Sequence, residues 1–204
     1  MNWKKRVFDL TLATLLLAPI AFLSALVAMV LLVTQGRPIL YGAERMQAPG
    51  RPFTLWKFRT MRPAPADAGV SGGDKADRIT PVGRFLRRTR LDELPQLYNI
   101  FAGHMSFVGP RPPLRQYVEA FPELYARVLQ CRPGVTGLAS LVFHRHEEWL
   151  LSRCRTAEET DAVYRRLCIP RKARLDLIYA GHANICLDLV IIGRTACRIV
   201  ARRV

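Results

Sequence analysis

A predominantly apolar run without a single charged side chain extends from residue 10 to residue 33, and few folds can accommodate it. As an α-helix, at about 1.5 Å per residue, the run is long enough to cross a hydrocarbon core of about 30 Å. It is too long for the apolar part of a cleaved signal peptide, and no small-residue cleavage site leads into a polar mature start. The sequence therefore predicts a permanent membrane element in the N-terminal part of the chain.

The topology of this element is open at the level of the residues. Pro19 lies within the run, where it removes one backbone hydrogen bond and bends a helix. Basic residues flank both ends, with Lys4–Arg6 before the run and Arg37 and Arg45 after it, so the positive-inside rule gives no orientation. Two interpretations remain, a simple span and a helix that re-enters the face from which it started.

The net charge of +15 indicates an anionic partner, which could be a nucleic acid, an anionic lipid surface or a phosphorylated substrate. No helix-turn-helix, zinc or aromatic stacking signature is present, which argues against nucleic acid. The five cysteines form no C-x-x-C pair, and an odd number cannot be fully paired within one chain. A reducing, cytosolic compartment is the simplest interpretation for the polar part of the chain.

The strongest chemical signal is the adjacent pair Asp92 and Glu93, which is followed by the turn Pro110-Arg111-Pro112. Four arginines at positions 84, 87, 88 and 90 precede the pair, so we expect both carboxylates to be ionised near neutral pH. An ionised aspartate can act as a nucleophile or as a Mg²⁺ ligand. A structural alternative stays open, because Thr89-Arg90-Leu91-Asp92 also fits a helix capping box.

The remaining pattern predicts a small hairpin and several helices. Short apolar alternations over residues 39–61, broken by Gly42 and Pro49-Gly50, indicate a β-hairpin. Lys57 and Arg59 would lie on one face of its second strand and could present two cations to a diphosphate, or remain solvated. Residues 62–77 read as a loop. Helices are predicted over residues 81–86, 92–101, 114–121, 147–167 and 187–200, the last being either interfacial, with arginines toward lipid headgroups, or buried.

Residues 91–112, LDELPQLYNIFAGHMSFVGPRP, resemble the signature of the bacterial sugar transferases, the monotopic polyprenyl-phosphate phosphoglycosyl transferases. The resemblance extends to the membrane segment, to WKFRTM over residues 56–61 and to RPGVTG over residues 132–137. It fails after Gly137, where residues 138–145 read LASLVFHR in place of the family's A-Q-V-x-G-R. The donor specificity is therefore the property that the resemblance leaves most open.

The resemblance implies a mostly helical α+β fold in a monotopic membrane protein. Residues 1–36 would form a re-entrant membrane helix broken at Pro19, and residues 37–204 a compact cytosolic catalytic domain with interfacial amphipathic helices and a small β-hairpin. The implied location is the cytoplasmic face of the bacterial inner membrane. The implied partners are a UDP-sugar donor, a polyprenyl phosphate acceptor and membrane lipid, with no nucleic acid and with a homodimer left open.

The resemblance also implies a mechanism. Asp92 would attack the β-phosphorus of the UDP-sugar, expel UMP and form an aspartyl-phosphosugar intermediate, which undecaprenyl phosphate would then attack in the first membrane step of glycoconjugate assembly. Asp92 and Glu93 would be the catalytic residues and the ligands of Mg²⁺, with Lys57, Arg59, Arg87 and Arg111 as phosphate-binding cations. The alternative is a membrane-surface protein that binds anionic lipid without catalysis, for which Asp92→Asn would change nothing.

Overall fold

The computed structural model of the chain describes residues 3–63, residue 70 and residues 72–201. Most of the loop predicted over residues 62–77 lies outside these residues, and its last part forms the 3-10 helix Gly73–Arg78. The α-helices are α1 Trp3–Gln35, α2 Pro81–Thr89, α3 Gln96–Phe101, α4 Arg115–Ala120, α5 Pro122–Val128, α6 Leu138–Leu151, α7 Ala157–Val163, α8 Ile169–His182 and α9 Ile185–Ala201. The strands are β1 Leu40–Ala48, β2 Arg51–Phe58, β3 Ser106–Val108 and β4 Gly134–Thr136. The predicted mostly helical α+β class is confirmed.

Helix α1 is long and apolar enough to cross a membrane, and most of its surface is not covered by the rest of the chain. Leu15, Phe22 and Val33 are each more than two-thirds exposed, as expected for side chains that face lipid. The structure describes α1 as one continuous helix of 33 residues with Pro19 inside it, and the re-entrant topology with a break at Pro19 stays a prediction. A transmembrane helix tolerates a proline when neighbouring groups satisfy the freed carbonyl.

Both ends of α1 are attached to the remainder of the chain. Near its start, the Lys5 ammonium lies 2.5 Å from Asp188 on α9, and Asp9 accepts a hydrogen bond from the Ser106 hydroxyl at 3.0 Å. Near its end, Val27 and Leu31 pack with Phe58, Leu86 and their neighbours. The helix therefore lies along the domain and contacts it at both ends.

Strands β1 and β2 form the predicted antiparallel hairpin, in a register that runs from Leu40 opposite Phe58 to Ala48 opposite Arg51. The turn contains Gly50 with a φ of 72°, a left-handed conformation that glycine adopts without steric cost. Phe53 and Leu55 of β2 are buried against Ala13, Leu97 and Ile100. The hairpin is therefore held between the membrane helix and α3.

A second sheet joins two of the motifs that carry the family resemblance. Strands β3 and β4 are parallel, with Ser106 paired to Gly134 and Val108 paired to Thr136. A Cβ atom on Gly109 would lie 2.2 Å from the carbonyl oxygen of Arg132, and one on Gly134 would lie 2.1 Å from the Gly109 nitrogen. Glycine is required at both positions because the two backbones touch.

The helix predictions for the C-terminal half need correction. The helix expected over residues 147–167 is α6 and α7, separated by a break at which the Thr156 hydroxyl accepts a hydrogen bond from the Glu159 nitrogen. Helices α5 and α8 were not predicted. Helix α9 is confirmed within two residues at either end, and it buries Asp188 and Ile191 while Leu189 and Val190 stay half exposed. Its interfacial position stays a prediction.

Candidate active site

Asp92 and Glu93 lie on a 3-10 turn, Leu91–Glu93, between α2 and α3. Helix α2 begins at Pro81, after Thr80 has capped it by accepting a hydrogen bond from the Gly83 nitrogen, and ends at Arg90 in the left-handed conformation with a φ of 60°. The sequence predicted a helix over residues 92–101 with the acidic pair in its first turn. In the structure the pair precedes α3, which begins at Gln96. Thr89 is not a cap either, since its hydroxyl donates to the carbonyls of Phe85 and Leu86.

Glu93 is the centre of a cluster of cations. Its Oε1 atom accepts hydrogen bonds from Lys57 Nζ at 3.1 Å, Arg111 Nη2 at 3.1 Å and Arg90 Nη1 at 3.3 Å. Burial by itself would raise the pKa of this carboxyl, but the three positive charges outweigh burial and hold the pKa well below its usual range. Glu93 is therefore ionised, as the sequence predicted.

Asp92 is in a different environment, although it is the next residue. Its side chain is buried, and Oδ1 has no hydrogen-bond partner among the described residues. Burial, and next the negative charge of Glu93, raise the pKa of Asp92, while Lys57, Arg87 and Arg90 oppose the rise. The expectation that both carboxylates are ionised near neutral pH is therefore supported for Glu93, whereas burial acts against ionisation of Asp92 and the expectation for that residue stays a prediction. An unbonded carboxylate oxygen is available for an electrophile or a cation.

The residues fit a Mg²⁺ ion that is shared with a substrate. Mg²⁺ in phosphate sites is commonly held by one or two carboxylates, with substrate phosphates and water completing its octahedral shell. Asp92 Oδ1 is a free oxygen of the right kind, and Glu93 is adjacent. Within residues 3–63, 70 and 72–201 no group of three or more His, Cys, Asp or Glu side chains is close enough to form a cage of protein ligands alone.

The structure brings three of the four predicted phosphate-binding cations to the acidic pair. Lys57 and Arg111 contact Glu93 directly, and Arg87 acts on the charge of Asp92. Arg59 is elsewhere, because its Nη2 donates to the carbonyl oxygens of Gln35 at 2.7 Å and Gly36 at 2.9 Å. It satisfies carbonyls at the C-terminal end of the membrane helix, so it does not share the position of Lys57.

Sequence reasoning did not assign Arg90 or Arg45 to the site. Arg90 contacts Glu93, and Arg45 of β1 is within electrostatic reach of Arg111 and Lys57. For Arg90 the signal was present, since a cation immediately before two carboxylates can reach back to them. For Arg45 no local signal exists, because its neighbours come from distant parts of the chain.

Other polar residues of the signature hold the fold together. Asn99 donates to the Thr54 carbonyl at 2.8 Å and accepts from the Trp56 nitrogen at 3.2 Å, which fixes α3 on β2. Ser106 donates to Asp9 of the membrane helix. The signature therefore encodes the placement of the acidic turn as well as its chemistry.

A cavity of about 660 Å³ opens on one side of Glu93. Its wall is apolar toward the membrane helix and α3, where Ile20, Leu97 and Ile100 contribute side chains, and it is cationic elsewhere. The basic residues that line it are Arg88, Arg90, His144, Arg145 and Arg198. His144 and Arg145 belong to the segment that departs from the family pattern, whereas His146 stacks on Trp149, with ring centroids 5.6 Å apart.

Comparison with known proteins adds an independent result. The family model described as bacterial sugar transferase matches residues 1–202. The chain is 33% identical over 196 residues to the uncharacterized sugar transferase EpsL of Bacillus subtilis (strain 168), covering 96% of this chain and 87% of that protein. It is 35% identical over 204 residues to the exopolysaccharide production protein PSS of Rhizobium leguminosarum bv. phaseoli, covering 94% and 92%.

A larger relative has a more specific name. The chain is 37% identical over 166 residues to the UDP-glucose:undecaprenyl-phosphate glucose-1-phosphate transferase of Escherichia coli (strain K12). That match covers 79% of this chain but only 36% of the relative. The similarity thus concerns about a third of a longer protein.

Proposed function

The chain belongs to the bacterial sugar transferase family, and we propose that it is a phosphoglycosyl transferase that moves a phosphosugar from a UDP-sugar to polyprenyl phosphate. The observation that supports this most directly is the buried Asp92, whose Oδ1 is unbonded beside the cation cluster on Glu93. The name of the Escherichia coli relative indicates the same class of donor and acceptor.

In the first half-reaction Asp92 is the nucleophile. A carboxylate oxygen of Asp92 forms a bond to the β-phosphorus, the bond from that phosphorus to the bridging oxygen breaks, and UMP leaves with the bridging electron pair. The product is a mixed anhydride between Asp92 and the phosphosugar. No proton has to move in this step, because both the nucleophile and the leaving phosphate are anions.

The cations have a defined task in this step. An anionic nucleophile repels a diphosphate, and preorganised positive charge offsets that repulsion as charge moves to the leaving group. Lys57, Arg90 and Arg111 are held in place by the single Oε1 atom of Glu93, so Glu93 acts by positioning cations. A Mg²⁺ ion bound by Asp92, Glu93 and the diphosphate would supply further neutralisation.

In the second half-reaction an oxygen of polyprenyl phosphate attacks the phosphorus of the anhydride and restores the Asp92 carboxylate. The cavity beside Glu93 is suited to this acceptor. Its apolar wall includes Ile20 of the membrane helix, and Arg88 and Arg198 line the same cavity, so a lipid tail and a phosphate would each meet matching chemistry. The reaction would then take place at the headgroup level on the cytoplasmic face of the membrane.

The test separates the two half-reactions. The full chain in nanodiscs is mixed with Mg²⁺ and UDP-sugars labelled in the sugar, first without acceptor and then with undecaprenyl phosphate. We expect one donor to release UMP and leave label on the protein, and the acceptor to remove that label. Asp92→Asn should abolish both signals.

Asp176→Asn is the matched control, since Asp176 is also a buried aspartate with a raised pKa but lies on α8. It should retain labelling. Label that persists on Asp92→Asn would exclude Asp92 as the nucleophile. Absence of UMP release with every donor tested would shift the interpretation to a non-catalytic lipid-binding protein.

A further inference from the structure

Arg45 is a cation near the acidic turn whose side chain has no ion pair or hydrogen bond within the described part of the chain. It lies on β1 opposite Phe53, and Lys57 lies on β2 opposite Tyr41. Side chains at these paired positions project from the same face of a two-stranded sheet. The hairpin therefore presents Arg45 and Lys57 on one face, and Lys57 contacts Glu93 from there.

Residues 111–115 are fixed beside Arg45 by one backbone contact and one side-chain contact. The nitrogen of Met46, the next residue, donates to the Pro113 carbonyl at 3.0 Å. Glu44, the preceding residue, forms a two-pronged ion pair with Arg115 at 2.8 and 3.1 Å. Arg45 thus stands between two residues that are anchored to the segment carrying Arg111, and its guanidinium is close enough to Arg111 for their charges to repel.

Arg45 has no ion pair or hydrogen bond of its side chain to any described residue, whereas its neighbours do. Glu44 is paired with Arg115, and the Oε1 atom of Glu93 is already shared by Lys57, Arg90 and Arg111. The other groups close to Arg45 are the aromatic side chains of Tyr41, Tyr117 and Tyr164. The cations here outnumber the carboxylates that can neutralise them.

Such an arrangement costs free energy in the unliganded protein. A partly buried guanidinium loses hydration without gaining an anion, and a like charge beside it adds repulsion. Burial, and next the charge of Arg111, lower the pKa of Arg45. Local conflicts of this kind are expected where a bound ligand removes them.

We propose that Arg45 binds the phosphate of the donor that leaves with uridine, beyond the phosphate held near Arg111 and Lys57. This inference rests on the proposed function. Arg111 and Lys57 both contact Glu93, next to the nucleophile, so the reacting β-phosphate belongs with them. Arg45 contacts neither carboxylate, so it is placed for the second phosphate of the diphosphate. When the bond to the bridging oxygen breaks, charge accumulates on this departing phosphate, and Arg45 would offset it.

The experiment compares Arg45→Gln with Arg45→Lys and with Arg115→Gln, which removes a neighbouring arginine whose ion pair is explained. Three quantities are measured with the nanodisc-embedded chain: the rate of labelling by the donor alone, the inhibition constant of UMP, and the rate at which undecaprenyl phosphate removes label already on Asp92. A hydrogen bond to a charged group is worth roughly a factor of ten or more.

We expect Arg45→Gln to slow labelling and to weaken UMP inhibition by about tenfold or more. Transfer of pre-formed label to the acceptor should keep the wild-type rate, because UMP has then left. Arg45→Lys should recover part of the loss, and Arg115→Gln should resemble the wild type. A merely structural role of Arg45 would slow both half-reactions together.

Three outcomes would overturn the inference. If Arg45→Gln leaves UMP inhibition unchanged while the wild type releases UMP, Arg45 is not the phosphate ligand and the proposed function stands. If labelling and transfer fall in parallel, Arg45 supports the fold of the site. If the wild type neither releases UMP nor becomes labelled by any donor, the proposed function itself fails and this inference fails with it.

Discussion

Asp92 and Glu93 are neighbours, yet their surroundings move their pKa values in opposite directions. Three cations form ion pairs with Glu93, which keeps this carboxylate charged and holds the three cations together. Asp92 is buried, its Oδ1 has no hydrogen-bond partner among the described residues, and burial favours its neutral form. A raised pKa makes the proposed nucleophile more basic, and the positive charges of Lys57, Arg87 and Arg90 oppose the rise.

The first prediction concerns Arg87, which lowers the pKa of Asp92. Only the carboxylate form attacks, so the labelling rate should fall as pH drops through that pKa. Arg87→Gln removes a positive charge that favours the carboxylate, and the acidic limb of the pH profile should therefore move to higher pH, with a rate loss of at least about tenfold. The measurement is the labelling rate against pH for both proteins.

Arg84→Gln is the control, because Arg84 lies one turn earlier on α2, is exposed, and is not among the groups that shift Asp92. Its pH profile should match that of the wild type. An Arg87→Gln profile that is lower but not displaced would show that Arg87 contributes to binding without acting on Asp92.

A second buried aspartate is predicted to limit stability. Burial raises the pKa of Asp176 to about 7, with Lys172 of the same helix opposing the rise and Glu147 of α6 adding to it. Because the folded pKa exceeds the unfolded value of 3.8, the folded state binds more protons between these values, and stability falls as pH rises through this window. Asp176→Asn should remove the loss.

The measurement is the melting temperature of Asp176→Asn and wild type at pH 5 and pH 8. The melting temperature of the variant should rise more above that of the wild type at pH 8 than at pH 5. The corresponding difference in the free energy of unfolding is up to a few kcal/mol, since each pKa unit corresponds to about 1.4 kcal/mol. An equal gain at both values would mean that Asp176 does not titrate in this range.

At the scale of elements, helix α1 decides how the site meets the membrane. At about 1.5 Å per residue, the 33 residues of α1 have a contour length of about 50 Å, more than a hydrocarbon core of about 30 Å. A helix that crossed the bilayer perpendicularly could contact a domain on one side at one end only. Here Lys5 pairs with Asp188, and Arg59 donates to the Gln35 carbonyl, so both ends touch the same domain.

We therefore predict that both ends of α1 lie on the same side of the membrane. Trp3→Cys and Arg37→Cys are made in a background in which the exposed Cys186 and Cys197 are replaced by serine. A membrane-impermeant maleimide should label both positions from the cytoplasmic side and neither from the periplasmic side. Labelling of Trp3→Cys from the periplasm alone would establish a simple span.

At the scale of the whole molecule, the parts that were predictable from sequence are those encoded locally. The 24-residue apolar run specified α1, and alternation with a Pro-Gly turn specified the hairpin. The acidic pair was found from the sequence, but its 3-10 turn was not. Arg90 ends α2 in the left-handed conformation, which glycine or asparagine usually signals, and neither residue stands there. The Thr156-to-Glu159 capping signal was present in the sequence and was overlooked inside a longer helical pattern.

Non-local features could not be predicted. The parallel pairing of β3 with β4 joins residues 28 positions apart, in strands of three residues that are too short to show a period. The convergence of Arg45, Lys57, Arg90 and Arg111 depends on that pairing and on the hairpin register. The two carboxylates and the cations Lys57, Arg87 and Arg111 were therefore predicted, whereas the approach of Arg45 from a distant strand was not.

The last prediction concerns the contact that joins the two ends of the chain. Lys5 of α1 pairs with Asp188 of α9, whose side chain is 1% exposed and which also accepts a hydrogen bond from Tyr179 at 2.6 Å. Lys5→Met leaves Asp188 buried without its counter-charge, which should destabilise the protein by about 3 to 5 kcal/mol. Lys5→Met with Asp188→Asn should recover much of this loss, because no uncompensated charge remains. Denaturant titration in mixed micelles measures both, with Arg115→Met, which breaks an exposed pair, expected to change little. Equal losses in the single and double variants would mean that packing of α9, and not the buried charge, sets the stability of this contact.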